Sequence, residues 1–260
     1  MNRRRFVTSS AGLLATSSVA GPTVADTADF PPAASLPQPA SQSSPLTLHH
    51  SDVVLFQGDS ITDAKRNRRA QAIANDPRAL GQGYARIIAG DLLAEHAKLD
   101  LQVFNRGISG NKIPDLDLRW QADTLALEPK VLSILIGVND LWHKLSGRYH
   151  GTATDYRTGF AALLAKTRQA LPDVQLVICE PFVLRCGAVD ARWFPEFDER
   201  KAFAREVAEV AAATWVPFQE AFDHAVEAGS ALESLAEDGV HPTPAGHALM
   251  ARTWREATGL

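Results

Sequence analysis

Val131-Leu132-Ser133-Ile134-Leu135-Ile136-Gly137-Val138-Asn139-Asp140 decides the fold class. Five of its first six side chains are apolar, with no strict alternation of polar and apolar positions. Such a run describes a strand buried on both faces, as in a parallel sheet covered by helices. Working outward, Val53-Val54-Leu55-Phe56 and Leu101-Gln102-Val103-Phe104 precede it, and Val174-Gln175-Leu176-Val177-Ile178-Cys179 follows it. Trp215-Val216-Pro217-Phe218 is a weaker fifth run; its proline cannot donate to a ladder and suits an edge. Helical spacing fills the gaps, as with Ile87, Ile88, Leu92 and Leu93 in Tyr84 to Lys98. Leu116 to Leu127, Tyr156 to Leu171 and Phe197 to Ala213 behave alike. Thr243-Pro244 before Ala245 to Ala257 reads as an N-cap and first turn. Strand and helix alternating at this spacing imply right-handed crossovers and one parallel five-stranded sheet. The expectation is a three-layer α/β/α domain without internal repeats.

The composition fits that reading. Of 260 residues, 45% are apolar and 22% charged, which excludes wholesale disorder and a polytopic membrane protein. A net charge of −4 gives nucleic acid no evident attraction. Arg3-Arg4-Arg5-Phe6 precedes an uncharged run of small and apolar residues, Val7 to Ala20, so residues 1–25 read as an export signal. The order Arg3-Arg4-x-Phe6 resembles a twin-arginine signal, with Ala20 and Ala25 both suited to cleavage. The run is too short and too rich in Ser, Thr and Gly for stable membrane insertion. Removal of residues 1–25 takes away three arginines and no acid, leaving a net charge of −7. Asp26 to Thr47 holds five prolines and four serines, so residues 26–47 are expected to be a disordered spacer. The folded domain is then 48–260, about 210 residues, enough for one sizeable core. A homo-oligomer is compatible with this composition.

Chemistry collects after the strands. Gly58-Asp59-Ser60-Ile61-Thr62 follows the first, Asn105-Arg106-Gly107-Ile108-Ser109-Gly110-Asn111 the second, and Gly137-Val138-Asn139-Asp140 the third. With strand order 2-1-3-4-5 these three strands are neighbours, and their loops share one crevice at the carboxyl end of the sheet. Glu237-Asp238-Gly239-Val240-His241-Pro242 lies just before the terminal helix. Serine is a poor nucleophile until a base takes its proton. Histidine titrates near neutrality and suits that task. Asp238, three residues before His241, can accept the other ring N–H, and Gly239 permits the tight turn between them. The Ser60 and Gly107 N–H groups and the Asn139 amide are donors of the kind a developing oxyanion needs. Glycine at 107 lets backbone approach a substrate closely.

Gly58-Asp59-Ser60, Gly107, Gly137-x-Asn139-Asp140 and Asp238-x-x-His241 resemble, in order, the four blocks of the SGNH (GDSL-type) hydrolase family. A lone Gly-Asp-Ser is weak; four blocks spanning most of the chain after the spacer are specific. The resemblance implies a flavodoxin-like fold and serine-ester hydrolysis without metal or other cofactor. It makes Ser60 the nucleophile, His241 the base and Asp238 its orienting partner, with Ser60, Gly107 and Asn139 as the oxyanion hole. Gly58-Asp59-Ser60-Ile61-Thr62-Asp63, Leu80-Gly81-x-Gly83-Tyr84, Gly107-Ile108-Ser109-Gly110-Asn111, Arg119-Trp120 and Asn139-Asp140-x-Trp142 look like the acetylxylan-esterase branch. Several of these stretches are shared with lipid and thioester hydrolases. The implied function is an exported esterase, periplasmic or extracellular, acting on small or oligosaccharide esters and removing acetyl groups from xylan or other carbohydrate. Its competitor is a lysophospholipase- or thioesterase-like action on lipid acyl esters.

Other residues admit two readings. Trp142, Trp193 and Phe194 fit a sugar-stacking surface or ordinary core packing. Arg66, Arg68 and Arg69 read as a solvated loop, and His247 as structural. Asp59, Asp63 and Asp140 suit turn or helix capping, while Ser109 lacks an acid–histidine motif of its own. Asp59, Asn139, Asp140, Asp238 and His241 would be the ligands of a metal-dependent alternative, which a single motif histidine disfavours. A silent sugar-binding module is the third possibility. Cys179 and Cys186 are too few for a disulfide scaffold, and whether they bridge is left open.

Overall fold

The computed structural model describes residues 45–260. The export signal and residues 26–44 of the expected spacer lie outside the described residues. In chain order the elements are β1 (Val53–Gly58), α1 (Ser60–Asp63), α2 (Tyr84–Glu95), β2 (Gln102–Asn105), α3 (Ile113–Asp123), β3 (Val131–Leu135) and α4 (Val138–Leu145). Then come α5 (Ala153–Ala170), β4 (Gln175–Cys179), α6 (Glu196–Val210), β5 (Thr214–Val216), α7 (Phe218–Glu227), α8 (Leu232–Leu235) and α9 (Pro244–Thr258). All five strands are parallel, in the order β2-β1-β3-β4-β5. The weak run around Trp215 is an edge strand, and Pro217 falls just past its end.

Period-two alternation sorts the strand residues between two cores. Val54, Phe56, Val103, Val131, Val177 and Val216 face α2, α7 and α9, where Tyr84, Ile88, Phe218, Phe222, Met250 and Trp254 receive them. Leu55, Phe104, Leu132, Ile134, Leu176 and Ile178 face α3, α5 and α6, against Trp120, Tyr156, Phe160, Leu163 and Val207. Because β3 is central, all five of its residues are buried. The packed chain begins before the expected domain start at Leu48. Leu46 buries its side chain in the first core and donates its N–H to Thr258 O at 3.0 Å. Thr47 exchanges hydrogen bonds with the Gln175 amide at 2.9 and 2.7 Å. No helix among the described residues is long and apolar enough to cross a membrane.

Ser133 is the one polar side chain of β3, and its partners explain it. Its hydroxyl accepts the indole N–H of Trp254 at 3.0 Å, with both residues fully buried. Ser133→Ala leaves that N–H unpaired in the core, so it should cost about 1–3 kcal/mol. Urea denaturation measures this; a loss under about 0.5 kcal/mol, the range of surface changes, would mean the indole is satisfied elsewhere.

Candidate active site

The site grows from the carboxyl ends of three neighbouring strands. At the end of β1, the Asp59 side chain accepts the Ile61 N–H at 3.0 Å and starts α1. Ser60 thereby occupies the first helical position, where a backbone N–H has no intrahelical acceptor. Asp59 is itself buried. Burial pushes its carboxyl up to about 7, against smaller opposing pulls from the Ile61 N–H and the His241 charge.

After β2 the chain extends the ladder: Arg106 N–H donates to Phe56 O at 2.8 Å and Ile108 N–H to Gly58 O at 3.1 Å. Between them, the Gly107 N–H donates to Asn105 Oδ1 at 2.9 Å. This expected oxyanion donor therefore has a partner within the fold and reaches a substrate only by sharing that bond. The reason for glycine also differs from the expectation. A Cβ at 107 would collide with the Thr62–Asp63 backbone, so the close approach is to α1. The Gly107 carbonyl accepts Arg66 Nε at 2.6 Å. Arg66 is buried, which corrects its reading as part of a solvated run; Arg68 instead pairs at 2.7 Å with Asp63.

After β3, α4 carries Asn139 and Asp140 in adjacent buried positions. Asn139 Nδ2 donates to Asn111 O at 3.3 Å, leaving one amide N–H uncommitted. Asp140 Oδ1 accepts the Ile113 N–H at 3.2 Å, and burial pushes this carboxyl up to about 7.

The fourth block completes the set. Ser60 Oγ lies 2.8 Å from His241 Nε2, and His241 Nδ1 lies 2.7 Å from Asp238 Oδ2. Asp238 Oδ1 meanwhile accepts the N–H groups of Val240 at 2.9 Å and His241 at 2.7 Å, so one carboxylate shapes the turn and orients the ring. Gly239 takes φ 80°, and a side chain there would strike the Cys186 and Leu184 carbonyls. The segment 182–195 braces this turn: Leu184 N–H donates to Gly239 O at 2.8 Å and Ala188 N–H to Asp238 O at 2.9 Å. Burial pushes the Asp238 carboxyl up, but bonds from the His241 ring and the two N–H groups outweigh it. The carboxyl is held below its usual value. It therefore stays ionised at neutrality and fixes the proton on Nδ1, leaving Nε2 to accept from Ser60.

The aromatic candidates separate. The Trp142 ring lies 5.9 Å from the His241 ring. Trp193 is buried between Trp142 and Phe197 and donates its indole N–H to Ala188 O at 3.1 Å, so it packs the core and offers no stacking face. Phe194 is covered by the Arg185 guanidinium, 3.6 Å from its ring centre, at a concavity of about 490 Å³ that includes neither Ser60 nor His241. His247 accepts the Tyr84 N–H at 3.2 Å, a structural role. Ser109 donates its N–H to Asp63 at 3.2 Å. Cys179 and Cys186 are both free thiols. Among the described residues no group of three His, Cys, Asp or Glu side chains is placed to hold a metal, and the suggested ligands Asp59 and Asp140 are turned to backbone N–H groups.

A buried Ser–His–Asp line would be a packing device; here the His241 and Asp238 side chains are 44% and 39% exposed, open to a substrate. Residues 56–249 match the GDSL-like lipase/acylhydrolase family, so the chain belongs to that family of carboxylic ester hydrolases. It is 31% identical over 218 residues to an acetylxylan esterase of Geobacillus stearothermophilus, covering 82% of this chain and 97% of that one. A crystal structure of that esterase superposes with a TM-score of 0.72 at 29% identity over 83% of this chain and 97% of that one. A putative GDSL-like lipase from Parabacteroides merdae is 46% identical, with a TM-score of 0.80 over 83% of this chain and 99% of that one.

The buried acids should show in stability against pH. Asp140 titrates near 7 in the fold against an ordinary 3.8, so the folded state holds the proton more tightly. Its contribution is fully favourable below the ordinary value and is lost as pH rises through about 7. Wild-type Tm should therefore fall between pH 5 and 8. Asp140→Asn, neutral throughout, should fall less and exceed wild type at pH 8. Equal slopes for the two proteins would show that Asp140 ionises freely in the fold.

Proposed function

We propose that this protein is an exported serine esterase that removes acetyl groups from xylan or xylo-oligosaccharides. The observation that carries the reading is the Ser60–His241–Asp238 line, joined at 2.8 and 2.7 Å and open to solvent. In this scheme Ser60 Oγ attacks the acetyl carbonyl as His241 Nε2 takes its proton. The Ser60 N–H and the Asn139 amide stabilise the oxyanion, and the Gly107 N–H contributes by sharing its bond to Asn105. As the C–O bond to the sugar breaks, His241 gives its proton to the departing sugar oxygen, which leaves as a hydroxyl. Water, activated by the same histidine, releases acetate from Ser60. Trp142 supplies an aromatic face beside His241 on which a sugar ring can rest.

Two further observations support the reading. Serine-to-alanine and histidine-to-alanine forms of the Geobacillus acetylxylan esterase are catalytic mutants of that enzyme. The Arg3-Arg4-x-Phe6 order favours export, which would bring the enzyme to polysaccharide.

Purified protein should release acetate from acetylated xylan, and kcat/KM on simple esters should fall steeply beyond about four acyl carbons. Each methylene left unburied forfeits up to about 0.8 kcal/mol. Ser60→Ala should abolish turnover while staying folded; more than about a tenth of wild-type activity remaining would exclude Ser60 as nucleophile. An optimum at eight carbons or more, without acetate release from xylan, would favour the lipid or thioester reading.

A further inference from the structure

The oxyanion donors come from segments after three strands, and one side chain touches the first two directly and the third through Asn111. Arg119 projects from α3, with its side chain 15% exposed. Its Nε donates to Asn111 Oδ1 at 2.8 Å, its Nη1 to Arg106 O at 2.8 Å and its Nη2 to Gly58 O at 3.3 Å. The Asp123 carboxylate, 3.1 Å from Nη1, balances the charge and steadies the fork.

Each link lands where it matters. The Arg106 carbonyl belongs to the same planar peptide as the Gly107 N–H, so fixing one end fixes the other. That peptide is clamped from both sides, by Arg119 on its oxygen and by Asn105 Oδ1 on its N–H at 2.9 Å. Asn111, held through its side chain, accepts the Asn139 amide on its own carbonyl at 3.3 Å. Gly58 stands two residues before Ser60 and also takes the Ile108 N–H at 3.1 Å.

We propose that Arg119 is a positioning residue for the esterase reaction, locking the end of β1 at Gly58 to both ends of the 106–111 segment so that the Ser60, Gly107 and Asn139 donors converge on one oxyanion. The inference rests on the esterase reading given above. Only a rigid planar fork reaches three acceptors in three directions; a lysine ammonium, a point charge on a flexible stem, cannot.

The test uses the full chain with 4-nitrophenyl acetate. Arg119→Gln should lower kcat roughly 10–100-fold with KM within about threefold, as for loss of transition-state stabilisation. Arg119→Lys should recover only part of this. The double variant Arg119→Gln/Asn139→Ala should lose less than the product of the single losses, because both act on one oxyanion. The midpoint of the pH–rate profile should stay where it is, since Arg119 touches neither Ser60 nor His241. A folded Arg119→Gln protein with kcat within about twofold of wild type, a change confined to KM, or losses that multiply in the double variant would overturn the proposal. If Arg119→Gln does not melt cooperatively, Asn111→Ala decides, because it cuts one link on a half-buried loop. It should lower kcat about 3–10-fold at unchanged KM, and an unchanged kcat overturns the proposal. Wild type without Ser60-dependent turnover would instead overturn the esterase reading, and this inference with it.

Discussion

The carboxyl end of this sheet depends on one buried amide. Asn105 donates to Thr62 O at 2.6 Å and Leu80 O at 2.9 Å while accepting the Gly107 N–H at 2.9 Å. Parallel strands end in backbone groups that have no ladder partner, and burying them unpaired costs about 1–3 kcal/mol each. Asn105 satisfies three at once and in doing so ties the β2 loop to the end of α1. Gly107 then packs so closely on Thr62–Asp63 that no side chain fits. The serine turn and the glycine turn are therefore one rigid body, and the position of Ser60 follows from it.

Electrostatics divides the same region into a buried wall and an open line. Burial pushes Asp59 and Asp140 up to about 7 and draws Arg66 down to about 10. These groups spend stability on shape: each is held by backbone contacts that bend a loop. Asp238 differs because three N–H groups converge on it, enough to outweigh its partial burial. A carboxylate that stays charged holds the Nδ1–H of a histidine and leaves Nε2 as acceptor, and here that carboxylate is on the exposed side.

Much of this was legible in the sequence, and the gaps have physical causes. Strand runs such as Val131–Ile136 are readable because burial on both faces demands apolar residues throughout. The four blocks are readable because their residue types have few other uses in combination. Helix α1 has four residues and α4 eight, too short for periodicity to register beside the motifs they carry. Arg66 looked solvated because charge predicts exposure, yet the Gly107 carbonyl needed a buried donor. Trp193 ends a three-residue helical turn, too short for spacing to show which face turns inward. Asn105 and Arg119 stand in motif stretches, but the backbone carbonyls they bond leave no mark on sequence, so those contacts emerge only from distances.

The distance between Ser60 and His241 is set far from either. They stand 181 residues apart, on the end of β1 and just before α9. What joins them is the core beneath: Phe56 in β1 meets Trp254 in α9 with ring centres 5.6 Å apart, and Trp254 is pinned to β3 through Ser133. Strand and helix therefore move together. At the head of α9, Thr243 caps the helix by accepting the Gly246 N–H at 3.3 Å and donates its hydroxyl to Ser234 O at 2.6 Å, which anchors the chain two residues after the histidine. The 2.8 Å separation between Ser60 Oγ and His241 Nε2 is thus maintained by apolar packing below and a helix cap beside it. The exposed side chains themselves stay free to meet a substrate.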